Sequence, residues 1–330
     1  PLQHITDEWK EVYDNIPPTI EVMLNCGIDN LESFLEERKD YYDAIVISRP
    51  INMKPVKDIY NRRPELFEYA KIIYDAEALW AAREILQSEI QGQSLQEHEK
   101  TVMINEEVAL ASFSNTVLTV THSEAQYFIN AGYDDVHVLG HTLEARITPN
   151  EFDDRKNILF VGTMAESGTP NVDSVEWFVE NVLPLINQGI SEEVKVYLIG
   201  KTGASELEKL ASEQVMVLGI VDDLTEWYNT CRIFIAPTRF AAGIPHKVHE
   251  ASSFGLPTVV TPVLAQQLNW QHENEILIGK TAQDYAEQCV RLYTDKALWI
   301  NIRENAVNRI VQEHSNDQFR RELANVLNRN

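Results

Sequence analysis

The segment from Ala236 to Ala251 carries residues whose types and spacing suit the binding of an anion. It follows an apolar run typical of a buried strand, passes through small residues around Gly243 and enters a helical pattern. In open α/β sheets, ligands bind beyond the carboxyl ends of the strands, and the N-terminus of the next helix attracts negative charge. Arg239 and Lys247 flank this loop, and Glu250 lies inside the helix, where it can accept hydrogen bonds from hydroxyl groups. The pattern indicates a diphosphate site, although a plain turn with two solvated cations fits it as well.

The charge balance of the whole chain makes these two cations unusual. Of its 330 residues, 28 are Lys or Arg and 51 are Asp or Glu, which gives a net charge of −23. A chain this acidic is repelled by phosphate backbones and anionic lipid surfaces, so we expect no nucleic-acid partner and no basic membrane-binding patch. Between residues 210 and 279 the only cations are Arg232, Arg239 and Lys247. Two of these three bracket one loop, which favours an anionic ligand there.

The composition is that of a globular protein, with 44% hydrophobic and 24% charged residues. Cys26, Cys231 and Cys289 are too widely spaced for a disulfide framework or a metal cluster, so we expect a reducing, cytoplasmic compartment. We expect neither a signal peptide nor an integral membrane segment. Because Pro1 stands where an initiator Met would, we expect the N-terminus to have been cut, processed or renumbered.

Short apolar runs alternate with amphipathic stretches along the chain, which predicts an α/β protein with parallel sheets covered on both faces. In the first half we expect strands at Ile20–Asn25, Ala44–Ser48, Lys71–Tyr74, Thr116–Val120 and Val136–Leu139. In the second half we expect strands at Asn157–Val161, Val194–Ile199, Val215–Leu218, Ile233–Ala236, Thr258–Thr261 and Ile276–Ile278.

An aperiodic, charged run from Gly140 to Lys156 interrupts this alternation. We therefore expect a first domain at residues 1–140, a linker at 141–156, a second domain at 157–310 and a last helical segment at 311–330. The first domain shows no opening strand followed by a Gly-rich turn, so we expect the first strands of a doubly wound domain to be missing from it.

Six short motifs occur in a fixed order through the second half. They are Ile158–Gly162, Pro170–Phe178, Leu218–Leu224, Ala236–Arg239, Glu250–Ala251 and Phe254–Thr261. In this order they resemble the nucleotide-sugar-binding domain of GT-B glycosyltransferases, close to the group 1 set called glycosyltransferase family 4. The resemblance covers residues 157–330. It implies two Rossmann-like, doubly wound domains that face each other across a cleft, with a C-terminal helix that crosses back to the first domain.

The resemblance implies roles for the loop around Gly243. Arg239 and Lys247 would neutralise the diphosphate of a sugar donor, and backbone amides near Ala242 and Gly243 would meet the sugar or the phosphate. Glu250 matches the second Glu of a pair that the family carries, and it would bind the ribose. Ala242 stands where the first Glu of that pair is found.

Further donor contacts are implied at other strand ends. Gly219 and Ile220 lie where the family holds the base, and Gly162 and Thr163 would line the cleft. His246 either faces the donor or is an exposed loop histidine. The expected donor-binding residues are therefore Gly162, Thr163, Gly219, Ile220, Ala242, Gly243, Ile244, His246 and Glu250.

Polar residues at strand ends of the first half are less specific candidates. Arg49 follows a strand and either points into the cleft or pairs with a nearby carboxylate. Asp75 reads most simply as a helix N-cap. By family position Asp75 lies near the transferred sugar, so it is the third catalytic candidate beside the two cations. Ser123 reads as an N-cap, and His141 reads as a packed or hydrogen-bonded histidine.

These observations predict a hexosyl-type glycosyltransferase that uses a UDP- or GDP-linked sugar. By resemblance it would retain configuration and need no metal or cofactor, and its acceptor would be a carbohydrate, a lipid-linked molecule or a protein. The sequence contains no Asp-x-Asp motif, no His or Cys spacing typical of zinc and no dinucleotide fingerprint. Two alternatives stay open, namely a non-catalytic GT-B module of a larger assembly and a sugar-nucleotide epimerase.

Overall fold

The computed structural model describes residues 15–23 and 27–328, and within them ten strands form two parallel sheets. The strands are β1 Ala44–Ser48, β2 Lys71–Asp75, β3 Thr116–Thr119, β4 Val136–Val138, β5 Ile158–Val161, β6 Val196–Ile199, β7 Val215–Gly219, β8 Ile233–Ala236, β9 Thr258–Val260 and β10 Leu277–Ile278.

Helices connect almost every pair of successive strands. The helices of the first half, of which α1 precedes the first strand, are α1 Leu31–Glu37, α2 Pro50–Arg62, α3 Trp80–Ile90, α4 Glu97–Val108 and α5 His122–Asn130. In the second half they are α6 Pro170–Trp177, α7 Leu183–Gly189, α8 Glu206–Leu210, α9 Thr225–Thr230, α10 His246–Ser253, α11 Pro262–Leu268, α12 Ala282–Thr294, α13 Lys296–Glu313 and α14 Asn316–Leu327. Among these described residues, no helix has both the length and the apolar character needed to cross a bilayer.

The first sheet has the strand order β1-β2-β3-β4. Crossovers between parallel strands are right-handed, so this sequential order leaves the connecting helices on one face of the sheet. Ile72 and Tyr74 face them and share a core with Met53 of α2 and Phe128 of α5. Side chains alternate along a strand, so Ile73 points to the opposite face.

That opposite face is covered by the end of the chain. Val326 of α14 is buried against Ile73 and Leu118. The Lys71 side chain donates to the Val326 carbonyl at 2.7 Å. The last helix therefore contacts the first sheet, although it follows the second half in sequence.

The second sheet has the order β10-β9-β8-β5-β6-β7. From β5 the chain first builds outward to β6 and β7, then returns to the other side of β5 and builds outward through β8, β9 and β10. The two directions of winding put helices on both faces, and one apolar core lies against each face. The loops that follow β5 and β8 consequently diverge at the centre of the sheet.

The observed strands agree closely with the sequence expectation, since every expected strand from Ala44 onward is present within two residues at each end. The expected strand at Ile20–Asn25 is wrong over its described part, because residues 20–23 form no strand. Positions 24–25 lie outside the described residues. Helix α2 was not anticipated, because Pro55 inside it disguises the helical pattern.

The segment between the two sheets is held by a buried arginine. The Arg155 guanidinium is fully buried, lies 5.3 Å from the Trp299 ring and donates to acceptors in the linker itself and in α9. The three nearest acceptors are the Asn150 carbonyl at 2.9 Å, the Tyr228 carbonyl at 2.6 Å and the Thr148 hydroxyl at 2.7 Å. Burial lowers the pKa of Arg155 to about 10.

Replacing Arg155 by Lys should lower the free energy of unfolding by about 2–4 kcal/mol, because an ammonium cannot reach three acceptors that a planar fork satisfies together. Urea denaturation of the full chain measures the change. Arg320→Lys on the exposed side of α14 is the matched control and should change stability by less than about 0.5 kcal/mol. Equal stability of both variants would show that the buried fork contributes nothing.

Candidate active site

The candidate site lies where the winding of the second sheet reverses, between β5 and β8. Ligands of open α/β sheets bind in the crevice outside the carboxyl ends of the strands at such a point. Gly162 and Thr163 follow β5, and the loop at residues 237–245 follows β8 and leads into α10. The topology thus brings together two segments that are more than seventy residues apart in sequence.

Asn171 at the start of α6 joins these two segments. Its side-chain Nδ2 donates to the Thr163 carbonyl at 2.9 Å, and its Oδ1 accepts a hydrogen bond from Lys247 Nζ. A Cβ on Gly162 would lie 2.9 Å from Asn171 Nδ2, so a side chain at that position would displace the amide. Gly162 is therefore required for the approach of Asn171.

Lys247 is held in an apolar setting. Its ammonium nitrogen lies 4.5 Å from the centre of the Phe160 ring. Within the described part of the chain, no carboxylate lies at ion-pair distance from it. Burial lowers the pKa of Lys247 to about 7. A bound anion would favour the charged form of this side chain.

Arg239 is oriented by a carboxylate on α6. Its Nε lies 2.9 Å from Asp173 Oδ2, and its Nη2 contacts Asp173 Oδ1 in a bidentate arrangement. Its guanidinium also lies 5.9 Å from the Trp177 ring. The fork of Arg239 is therefore fixed in direction and carries a bound counter-charge.

The Gly243 amide contacts the first half of the protein. Gly243 has a φ of +81°, and its N–H donates to Glu124 Oε1 on α5 at 2.9 Å. A Cβ there would lie 3.3 Å from Ala78 Cβ, so the loop is pressed against the first domain. The family resemblance assigns the Gly243 N–H to the sugar or the phosphate of the donor. In this arrangement that N–H is already hydrogen-bonded to the Glu124 carboxylate.

Glu124 is itself buried at this contact. Its Oε1 also accepts from the Leu79 amide at 3.1 Å, whereas its Oε2 has no hydrogen-bond partner among the described residues. Burial raises the pKa of Glu124. Helix α5 is capped by Thr121, whose hydroxyl accepts from the Glu124 amide. The expected N-cap at Ser123 is therefore wrong by two residues.

Asp75 ends β2 and faces the same edge of the first sheet. Its carboxylate accepts from the Ser48 hydroxyl at 2.8 Å and from the Glu77 amide at 3.2 Å. It does not cap a helix, because α3 begins only at Trp80, where Glu107 of α4 accepts the first free amides. The N-cap expectation for Asp75 is thus wrong, and Asp75 organises a turn instead.

Arg49 pairs with Glu77, so of its two expected roles the one that holds is pairing with a nearby carboxylate. Arg49 Nη2 lies 2.9 Å from Glu77 Oε1, and the Nε–Oε2 contact completes a bidentate pair. Both residues have positive φ, 74° for Arg49 and 55° for Glu77. Such backbone strain is common at functional edges.

The remaining expected donor residues occupy varied positions. Glu250 is half-buried, and its carboxylate adds to burial in raising the pKa of the Tyr228 hydroxyl. Gly219 has a φ of +73° with open space beside it, and Ile220 is 74% exposed. Gly219 ends β7 and Ile220 follows it, and β7 pairs only with β6 among the described strands and lies two strands from β5.

Ala242 lines a cavity of about 490 Å³ between the two halves of the protein. Its wall also includes Ile85, Ile104, Glu124 and Tyr127 from helices α3, α4 and α5. This cavity lies beside the loop at residues 237–245 and has a largely apolar lining.

Ile244 and His246 point toward the linker. The Ile244 side chain lies near Gly140, and the His246 ring centre is 4.2 Å from that of His141. Sequence reasoning did not assign roles to Asn171, Asp173 or Glu124. The first two lie in the Pro170–Phe178 motif, so that motif was the available signal for them.

The second half of the chain matches a known family. Residues 155–295 match the family model described as Glycosyl transferases group 1. The expected resemblance to group 1 glycosyltransferases is confirmed. No curated protein matches the sequence.

Solved glycosyltransferase structures share the fold of the whole chain at low sequence identity. TarM superposes with a TM-score of 0.68 at 12% identity, covering 92% of this chain and 58% of TarM. HepE from Anabaena in complex with UDP gives 0.71 at 14% identity, covering 97% and 89%. Sucrose-phosphate synthase from Thermosynechococcus elongatus gives 0.66 at 13% identity, covering 94% and 81%. This chain thus spans less than two thirds of TarM, and the expected GT-B fold with two Rossmann-like domains is confirmed.

Glu124→Gln should preserve the contact between the halves, because the Gln carbonyl can still accept from the Leu79 and Gly243 amides. Glu124→Ala should lower stability by about 2 kcal/mol or more, since two amides lose their acceptor. Folding favours the neutral carboxyl of Glu124, so its charge costs stability at neutral pH, and this cost is relieved as the pH falls through the folded-state pKa.

Thermal unfolding at pH 5 and pH 7 measures both effects. The Gln variant should be at least as stable as the parent at pH 7. The difference in unfolding temperature between the Gln variant and the parent should be smaller at pH 5. Glu106→Gln, an exposed change on α4, is the matched control and should leave the unfolding temperature close to that of the parent. A Gln variant as unstable as the Ala variant would contradict this account.

Proposed function

We propose that this protein transfers a sugar from a UDP-linked donor to an acceptor hydroxyl. The observation that carries the proposal is the convergence of Lys247, Asn171 and Arg239 at the switch point of the second sheet. A half-buried lysine without a carboxylate partner among the described residues is an unusual feature in a chain of net charge −23. A diphosphate supplies the missing negative charge.

The cations would act on the leaving group. As the bond between the anomeric carbon and the diphosphate oxygen breaks, negative charge grows on the diphosphate. The acceptor oxygen bonds to the same carbon, and the proton of the acceptor hydroxyl passes to the departing diphosphate. Fixed cations stabilise developing charge most strongly in a site that excludes water. Lys247 and Arg239 would provide this stabilisation, so we propose that the transfer needs no metal at the diphosphate. Retention of configuration is proposed from the family resemblance.

The nucleoside would lie along the carboxyl edge of the second sheet. Glu250 follows Lys247 by one turn of α10, so its carboxylate is suited to the ribose hydroxyls. The open space beside Gly219 and the exposed Ile220 side chain can receive a planar base. The HepE structures contain UDP or UDP-glucose, which supports uracil as the base.

The acceptor would approach from the first domain. Asp75 and the Arg49–Glu77 pair occupy the carboxyl edge of the first sheet, and we propose Asp75 as the group nearest the transferred sugar. The cavity of about 490 Å³ beside Ala242 is the proposed acceptor site. Its apolar lining suits an acceptor with a hydrophobic portion.

A second candidate is a GT-B module that binds a nucleotide sugar without transferring it. Two contacts favour it, since Asp173 already neutralises Arg239 and Glu124 already occupies the Gly243 amide. Both contacts would have to loosen or be shared when the donor binds.

Lys247→Met should weaken UDP-sugar binding about 10–100-fold, because a charge-assisted interaction contributes about 1.5–3 kcal/mol. Calorimetric titration of the full chain with UDP-glucose and related UDP-sugars measures the change. Lys280→Met, an exposed substitution beyond β10, should bind like the parent. If the two variants bind UDP-sugars with equal affinity, Lys247 does not contact the donor. Absence of nucleotide binding by the parent protein would refute the proposed function.

The parent protein should slowly release free sugar from the UDP-sugar that it binds best, because water can replace the acceptor. Chromatography of the products over time separates the candidates. Free sugar and UDP indicate a transferase, whereas an unchanged donor despite tight binding indicates the non-catalytic module. A changed sugar still linked to UDP would indicate an epimerase. Asp75→Asn should reduce the release without abolishing binding.

A further inference from the structure

Histidines from three distant parts of the chain meet beside the linker. His141 opens the linker, His249 lies in α10, and His314 follows the last residue of α13. The ring centres lie 5.2 Å apart for His141 and His249, 4.8 Å for His141 and His314, and 4.2 Å for His249 and His314. Three imidazoles therefore surround one point.

The ring nitrogens are close enough to share an ion. One nitrogen from each of the three rings lies within 4.8 Å of the other two. Around a tetrahedral ion with metal–nitrogen bonds of about 2.0–2.1 Å, ligand nitrogens lie roughly 3.3 Å apart. Small rotations of the imidazole rings would bring the nitrogens from their present separations of up to 4.8 Å to this ligand spacing, with no movement of the backbone.

One ring is already oriented as a metal ligand is. His314 Nδ1 lies 3.0 Å from the His141 carbonyl oxygen. A carbonyl can only accept, so Nδ1 carries the proton and the Nε2 lone pair is free. Metal-bound histidines commonly donate their second nitrogen to a backbone carbonyl in this way, which fixes the tautomer.

The other two rings have buried nitrogens without partners. The Nδ1 atoms of His141 and His249 are buried and have no hydrogen-bond partner among the described residues, and His249 is only 5% exposed. Buried polar atoms are normally satisfied, so two such atoms in one cluster indicate a missing partner.

The donor set selects the class of ion. Three imidazoles suit Zn²⁺ and its first-row neighbours, whereas Ca²⁺ and Mg²⁺ prefer oxygen ligands. A neighbouring cavity of about 700 Å³ reaches all three rings, and Glu313 and Glu322 also line it. The cavity provides an entry path and room for a water molecule as fourth ligand, and the two carboxylates attract cations.

We propose that His141, His249 and His314 form a binding site for a divalent transition-metal ion of the Zn²⁺ class. The ion would tie together the linker, α10 and the turn between α13 and α14. Since α10 also carries Lys247 and Glu250, the site would fix the helix that supports the candidate active site. The proposal does not depend on sugar transfer, because it concerns a different face of α10.

The test uses the full chain, without an affinity tag that itself binds metal. After removal of metal with a chelator, the protein is titrated with Co²⁺ and Zn²⁺. We expect about one Co²⁺ per chain with the visible absorption of a tetrahedral nitrogen-containing site, displacement by Zn²⁺ and a higher unfolding temperature in Zn²⁺. The absence of this absorption together with an unchanged unfolding temperature would overturn the proposal.

Variants assign the ligands. His249→Gln and His314→Gln should each weaken Zn²⁺ binding more than about tenfold, whereas His98→Gln, at an exposed histidine of α4, should bind like the parent. Circular dichroism of the metal-free variants checks folding, and if one variant fails to fold, the other variant and the parent's Co²⁺ spectrum decide. Equal affinity of the folded variants and the parent would also overturn the proposal, because the ion would then bind elsewhere.

Discussion

The side-chain amide of Asn171 is the contact on which the candidate site depends. It joins the Thr163 carbonyl after β5 to the Lys247 ammonium of α10, and it fits only because Gly162 has no side chain. Through this amide, the two loops that diverge at the switch point are held at a fixed separation. The helix α6 that carries Asn171 also carries Asp173, which directs Arg239. One short helix thus positions both cations of the site.

The two halves of the protein meet through a second buried polar contact, between Glu124 and the Gly243 amide. A buried carboxylate costs free energy unless it is hydrogen-bonded, and here one of its two oxygens accepts both available amides. Because Glu124 Oε2 has no hydrogen-bond partner among the described residues, this contact between the halves is only partly satisfied.

Local sequence signals predicted most of the fold and part of the site. Strands such as Ile233–Ala236 are short, uniformly apolar and rich in β-branched or aromatic residues, and this one lies between Arg232 and Pro237, so the local sequence predicts them. Helix α2 was not predicted, because Pro55 interrupts its helical pattern. Helix α3 begins at Trp80 because the side chain of Glu107, which is distant in sequence, accepts hydrogen bonds from its first amides. Boundaries set by distant partners are not encoded in the neighbouring sequence, and for this reason Asp75 was expected to cap a helix that starts five residues later.

The sequence by itself determined the parallel α/β architecture, the loop with Arg239 and Lys247, and the resemblance to group 1 glycosyltransferases. These features follow from short-range patterns of burial, charge and spacing. Only the tertiary structure decided which counter-charges each cation meets, that Glu124 occupies the Gly243 amide, and that His141, His249 and His314 surround one point. The physical reason is that the strand order of the second sheet and the return of α14 to the first sheet bring together residues more than sixty positions apart. Motifs defined by the spacing of residues along the chain do not include pairs of residues that become neighbours only in the folded structure.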